Sequence, residues 1–107
     1  MEAGFIITCV GSLTDAVIRL ANQDQGKSYR GYFEVVSLGG TLSLNGCYIH
    51  ISFSDSGGYT TGGHLLEGSL VYTTVELVIG DLPDVVYNRE PDPKSGYNEL
   101  TIYPKKP

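Results

Sequence analysis

Short segments of alternating or continuously apolar residues follow one another along this chain, and glycine-rich or polar turns separate them. The clearest alternation lies at residues 47–54, CYIHISFS, where every second side chain is apolar. Because successive side chains of a strand point to opposite faces, this segment predicts a strand with one apolar and one polar face. The apolar face holds Ile49, Ile51 and Phe53. The polar face holds Tyr48, His50, Ser52 and Ser54.

The other segments predict further strands rather than helices. Residues 5–10 form a continuous apolar run, which indicates a strand covered on both faces, and a Gly-Ser pair ends it. The remaining predicted strands are 15–20, 32–38 with an extension past a bulge to 44, 70–79, 84–89 and 97–103. No window has helical periodicity beyond about one turn at 64–73, so pattern and propensity alone predict an all-β, antiparallel fold. The expected core consists of Phe33, Val35, Val71, Val75, Leu77 and Ile79.

Both histidines of the protein lie in one predicted hairpin. A turn at Ser56-Gly57-Gly58 folds the strand that carries His50 back toward the TTGGHLLEG segment, which carries His64. Asp55 is predicted to stabilise this turn. The three glycine pairs of the chain precede no predicted helix, so we predict turns, bulges or close packing there rather than a phosphate-binding loop. Any chemical site of the chain is predicted in this hairpin.

The composition of the chain disfavours some classes of function. The 107 residues suffice for one domain with a modest core, and 12 acidic against 7 basic residues give a net charge of −5. This acidic balance disfavours binding to nucleic-acid phosphates. Cys9 and Cys47 adjoin apolar strand residues and are expected to be buried free thiols. The apolar run near the N-terminus is too short for a signal sequence or a membrane span, so we expect an intracellular protein, cytoplasmic or nuclear, without membrane contact.

Three blocks of the chain resemble the PPC (plant and prokaryote conserved) domain. They are CVGSLTDAVIRLA at 9–21, GYFEVVSLGGTL at 31–42, and the histidine hairpin continuing into VYTTVELVIGDL at 71–82. The resemblance implies a single α+β domain over residues 1–107, with a predominantly antiparallel sheet and little helix, in a short form that lacks the family's first strand and helix. PPC domains usually form trimers. A homotrimer is therefore expected, with residues 30–42 and the hairpin near the subunit contacts.

The resemblance also raises the question of a metal. In many prokaryotic PPC relatives three histidines of this hairpin hold a zinc ion, with an open position left for water. His50 and His64 match the second and third of these positions, but Tyr48 stands at the first. Tyrosine, with an ordinary pKa near ~10, is a poor zinc ligand. Two alternatives follow: a zinc site at His50 and His64, or a histidine pair packed in the hairpin or at an interface. We expect no cofactor, with zinc as the alternative.

Three functions are compatible with these observations. The favoured one is a non-catalytic homo-oligomeric module that associates with itself and with other proteins. The alternative is a zinc-dependent enzyme, since the PPC fold resembles that of acetolactate decarboxylase; Glu34 and Glu76 would then be general bases, although pairing with Arg19 or Arg30 is favoured. The third is a DNA-associated protein, but the AT-hook that accompanies plant PPC domains is not present in this sequence. The residues predicted for a pocket or an interface are Tyr48, Ser52, Glu34, Arg30 and Gly63.

Overall fold

The computed structural model describes residues 1–106, which form seven strands. The strands are β1 (Gly4–Arg19), β2 (Lys27–Ser43), β3 (Gly46–Ser54), β4 (Thr60–Leu65), β5 (Leu70–Asp81), β6 (Val85–Pro91) and β7 (Asn98–Pro104). Every pairing between them is antiparallel. Short turns join most of the strands, as the glycine-rich and polar segments of the sequence predict.

Five of the strands form one sheet that closes on itself through β1. The order across the sheet is β2-β3-β4-β1-β5, and β1 also pairs with β2. β2 therefore runs along one edge of β1, while β5 and the end of β4 share the other edge. The closure of β4 on β1 consists of two residue pairs, Ile18 with Leu65 and Arg19 with His64. The first four strands thus form a small barrel, and β5 lies at the open edge of the sheet.

The apolar faces of the barrel strands meet in a core around Phe53. The ring of Phe33 lies 5.0 Å from the ring of Phe53, and the ring of Tyr29 lies 5.5 Å from it, both in edge-on contacts. Such contacts add to the stabilisation that burial of the rings provides. The buried residues of this core are Cys9, Leu13, Ala16, Ile18, Phe33, Val35, Ile51 and Phe53.

The hairpin of β6 and β7 is attached to the end of the barrel by backbone hydrogen bonds. The N–H of Leu44 donates to the carbonyl of Tyr87 at 2.9 Å, and the N–H of Tyr87 donates to the carbonyl of Glu2 at 3.1 Å. The side chain of Asn45 donates to the carbonyl of Arg89 at 2.9 Å and accepts from its N–H at 2.8 Å. These bonds hold Arg89 beside the turn between β2 and β3.

The α+β expectation is wrong for this chain, whereas the all-β prediction from the residue pattern is confirmed: residues 1–106 contain no helix. Residues 64–73 hold the end of β4, a turn and the start of β5. The two strands predicted at 5–10 and 15–20 are one strand, β1. Gly11 lets β1 continue close to β5, because a Cβ at this position would collide with the carbonyl oxygen of Thr74. The part of the chain that the structure describes has no helix that could span a membrane.

The predicted core is correct for β2, and on β5 it holds only for Val75, which is partly buried against the core. Phe33 and Val35 are buried, as predicted. Val71, Leu77 and Ile79 are exposed, although their β-branched and aliphatic side chains are typical of a covered strand. The reason is that β5 contacts mainly β1, its neighbour in the sheet, so most of its side chains have no described element packed over them.

Candidate functional site

The pairing of β3 with β4 brings both histidines together with Tyr48. His50 lies directly opposite His64 in the ladder, and Tyr48 precedes His50 by two residues on the same face. The ring centroids are 5.0 Å apart for Tyr48 and His50, 5.4 Å for Tyr48 and His64, and 5.9 Å for the two histidines. We call these three residues the histidine cluster.

The turn and a close-packed glycine position the cluster. Asp55 stabilises the turn, as predicted, because its Oδ1 accepts hydrogen bonds from the N–H groups of Gly57 and Tyr59 at 2.9 and 3.0 Å. Gly63 precedes His64 where β4 closes on β1, and a Cβ there would lie 2.5 Å from the carbonyl oxygen of Arg19. Only glycine permits this approach, so the Gly-Gly-His sequence places His64 directly against β1.

Two arginines flank the histidine cluster from different strands. Arg19 of β1 lies opposite His64 in the ladder. Arg89 of β6 places its Cζ 5.0 Å from the centre of the Tyr48 ring and donates from Nη2 to Thr41 Oγ1 at 2.7 Å. Arg89 was not among the sequence-predicted residues. It lies outside the three blocks of resemblance, and only the attachment of β6 to the barrel brings it here.

The environment of His64 is partly desolvated and positive. Burial, followed by the charges of Arg19 and His50, lowers the pKa of His64 below its ordinary value. The Nδ1 atom of His64 is buried and has no hydrogen-bond partner among residues 1–106. A buried polar atom without a partner costs on the order of 1–3 kcal/mol. A ligand or an ordered water is one means of satisfying such an atom.

The residues of the cluster do not fit a three-histidine zinc site. No group of three histidine, cysteine or acidic side chains that could hold a metal ion occurs in the described chain. Tyr48 takes the place of the third imidazole, and Cys47 points to the other face of β3 by strand parity. Contrary to prediction, Cys47 is exposed, since it lies at the end of β3 beside a turn; Cys9 is buried as predicted, which raises the pKa of its thiol.

Of the other predicted site residues, Gly63 adjoins His64 and Ser52 shares the polar face of β3 with His50, whereas Glu34 and Arg30 lie elsewhere. Ser52 pairs its hydroxyl with that of Ser37, at 2.6 Å between the oxygens. The expected ion pairs of Glu34 and Glu76 with an arginine do not form, because Arg30 lies 3.8 Å from Asp15 instead and both glutamates are exposed. Glu34 contributes to a cavity of about 620 Å³ that shares no lining residue with the histidine cluster.

The outer edge of β5 is an exposed apolar surface. This strand has twelve residues, and β1 is its only hydrogen-bonded neighbour within the described residues. Its exposed large apolar residues, which we call the β5 edge, are Leu70, Val71, Tyr72, Leu77, Val78 and Ile79. Charged residues on β5 are limited to Glu76 and Asp81, and the strand holds no lysine, arginine or proline.

Comparison with solved structures supports the fold strongly. A hypothetical protein from Salmonella cholerae-suis (Salmonella enterica) is 46% identical and superposes with a TM-score of 0.97, over 99% of this chain and 77% of that chain. A protein from Bacteroides thetaiotaomicron, provisionally described as DNA-binding, is 23% identical with a TM-score of 0.78, over 94% of this chain and 73% of that chain. At this lower identity the likeness shows the fold alone.

Sequence comparison gives the family. A bifunctional protein GlmU from Synechococcus sp. (strain JA-2-3B'a(2-13)) is 42% identical over 104 residues, which are 97% of this chain and 16% of that protein. The chain therefore spans only a small part of the curated relatives that it matches. The family model of the Plants and Prokaryotes Conserved (PCC) domain matches residues 1–83, which include the three blocks of resemblance. The chain therefore belongs to the Plants and Prokaryotes Conserved domain family.

Proposed function

We propose that this protein is a non-catalytic assembly module that forms a homotrimer through the β5 edge. The observation that carries the proposal is a long, apolar edge strand without a partner strand among the described residues. An exposed strand edge presents a row of unpaired N–H and C=O groups to another chain. Monomeric proteins protect such edges with lysine, proline or very short strands, and β5 has none of these devices.

The family resemblance and the shape of the proposed contact support a trimer. Pairing of two β5 strands about a two-fold axis would produce a dimer. A trimer instead requires a heterologous contact, in which the β5 edge of one copy meets a different surface of the next copy. Exposed apolar residues outside β5, such as Ile7, Val10 and Val36, offer that second surface. We place the contact at β5 rather than at residues 30–42 because β5 carries more exposed apolar side chains.

The presence of a similar segment within a longer protein supports a modular role. The matched GlmU contains a segment 42% identical to this chain as 16% of its length. A domain that recurs within a longer protein of different composition is typical of portable interaction modules. The net charge of −5 supports protein partners over DNA. A zinc enzyme has less support, because the histidine cluster lacks the third ligand of a catalytic site.

Light scattering coupled to gel filtration tests the proposal. The wild-type protein is expected to have the mass of three 11.6 kDa chains. Val78→Lys places a charge on the β5 edge at a side chain that is 49% exposed, so the fold should persist while the trimer dissociates. Tyr59→Lys is the matched control, since Tyr59 is 81% exposed at the turn between β3 and β4. A monomeric wild type, a dimer, or a Val78→Lys variant that stays trimeric would contradict the proposal.

Two further measurements, of metal content and of DNA binding, distinguish the alternative functions. Elemental analysis of protein purified without a histidine tag is expected to find no stoichiometric metal, both in the wild type and in His50→Ala. A zinc enzyme predicts about one zinc per subunit that disappears in His50→Ala. A DNA-associated protein predicts duplex affinity that falls steeply with salt concentration, whereas we expect no binding at low salt.

A further inference from the structure

We propose that the histidine cluster, together with Arg19 and Arg89, binds a small oxyanion such as a phosphate group. This site is separate from the β5 edge, and the proposal does not depend on the oligomeric state. It rests on a juxtaposition of two arginine and two histidine side chains that three strands of the barrel and the β6–β7 hairpin bring to one face.

The register of the sheet aligns three of these side chains, one from each of β1, β4 and β3. Arg19, His64 and His50 occupy directly opposed positions on β1, β4 and β3. Directly opposed residues of antiparallel strands project to the same face, and neighbouring strands lie about 4.8 Å apart. The three side chains therefore form a continuous row across the outside of the barrel. Planar guanidinium and imidazole groups in such a row match the oxygens of a phosphate.

Arg89 adds the second charge from another element. Its guanidinium lies over Tyr48 and donates to Thr41, which pairs with Tyr48 across β2 and β3. One of its nitrogens is held by Thr41, and the remaining donors are available to a ligand. Arg89 belongs to β6, which follows the family-matched residues 1–83. The positive charge of Arg89 therefore comes from a part of the chain that the family model does not match.

No acidic side chain neutralises the two arginines. Neither Arg19 nor Arg89 has a carboxylate oxygen within 4.0 Å anywhere in residues 1–106. The neighbouring Glu90 is engaged elsewhere, since its carboxylate accepts from Tyr103 at 2.7 Å and from Thr101 at 3.0 Å. In a chain with a net charge of −5, two unneutralised arginines beside two histidines form a local positive site.

The surface beside the histidine cluster has space for a ligand, and the cluster contains a buried polar atom without a hydrogen-bond partner. Gly39 lies opposite His50 on β2, and a Cβ built on Gly39 meets no atom within 4 Å. The surface beside the histidine row is therefore open. The buried Nδ1 of His64 lacks a partner among the described residues, as shown above. An ordered water in the hydration shell of a bound anion could satisfy this atom in either tautomer of His64, whereas a zinc ion here would be repelled by Arg19.

Titration with inorganic phosphate tests the site. The chain has only two histidines, so their ring proton signals can be assigned by NMR with a His50→Gln variant. At constant pH and ionic strength, phosphate is expected to shift both signals of the wild type with saturation. Arg19→Gln and Arg89→Gln should each weaken binding about 10- to 100-fold, the effect of one charge-assisted hydrogen bond. Arg19→Lys should retain part of the affinity.

Arg30→Gln is the matched control, because Arg30 is exposed and lies near Asp15 rather than near the histidines. This variant should bind phosphate like the wild type. A parallel titration with acetate distinguishes the two sources of an oxyanion: the tighter ligand identifies a phosphate or a carboxylate group. Shifts that grow linearly without saturation, or that are equal in Arg19→Gln and the wild type, would overturn the proposal. Stoichiometric zinc binding by the wild type would also overturn it, in favour of a metal site.

Discussion

Replacement of Gly63 by alanine is predicted to weaken the pairing of β4 with β1, which closes the barrel. A Cβ at Gly63 would lie 2.5 Å from the Arg19 carbonyl oxygen and 3.2 Å from the Arg19 carbonyl carbon. Real side chains do not tolerate such distances to backbone atoms, so β4 must move away from β1. Only two residue pairs join β4 to β1, and Arg19 with His64 is one of them. The displacement therefore weakens the closure of the barrel.

Overpacking of this kind costs about 1–3 kcal/mol. A domain of this size has a total stability of roughly 5–15 kcal/mol, so the loss is easily measured. Gly39→Ala is the matched control for stability, because a Cβ at Gly39 meets no atom within 4 Å. It removes one glycine from a strand without a collision, and the stability should stay equal or rise slightly.

Urea unfolding at a fixed protein concentration measures both variants. Linear extrapolation converts the change in midpoint to a change in the free energy of unfolding. A fixed concentration is needed because self-association adds to the apparent stability. Amide exchange at Leu66 locates the effect, since its N–H donates to the Val17 carbonyl at 2.9 Å beside the closure and should lose protection in Gly63→Ala alone. Equal stability of Gly63→Ala and the wild type would refute the reasoning, and so would an equal loss in Gly39→Ala.

Two further predictions concern the core and the pH dependence. Phe53→Ala removes a ring that is 1% exposed at the centre of the core and should lower the free energy of unfolding by about 3–5 kcal/mol in urea unfolding, whereas Tyr59→Ala at an exposed turn should change it little. The depressed pKa of His64 implies that protonation favours the unfolded chain, so its contribution to stability is present above about pH 6.5 and is lost as the pH falls through the lower folded-state pKa. Urea unfolding between pH 5 and 8 should therefore show a weaker decrease toward acid in His64→Gln than in the wild type; identical profiles would contradict the assignment.

Features that depend on neighbouring residues could be predicted from the sequence. Alternation over residues 47–54 predicted β3, and its apolar residues Ile51 and Phe53 are buried as the pattern requires. The role of Asp55 in the turn follows from its reach to nearby N–H groups, which is a local property. The three sequence blocks also sufficed for the family. The resemblance misled on one point, because the helix that it implied does not form in residues 1–106.

Which strands are covered, and which charged side chains lie near one another, depends on the tertiary structure. Val71 and Leu77 have side chains suited to a core, but exposure depends on the strand's place in the sheet, and no local pattern encodes the edge position of β5. Arg89 reaches Tyr48 because Asn45 binds the backbone of β6, a contact between residues far apart in the chain. Period and propensity act over a few residues, whereas sheet order and the electrostatics of a site arise from pairings between distant segments. The alternation of the sequence therefore predicted the strands, and the closure of β1 on β4 created the site between them.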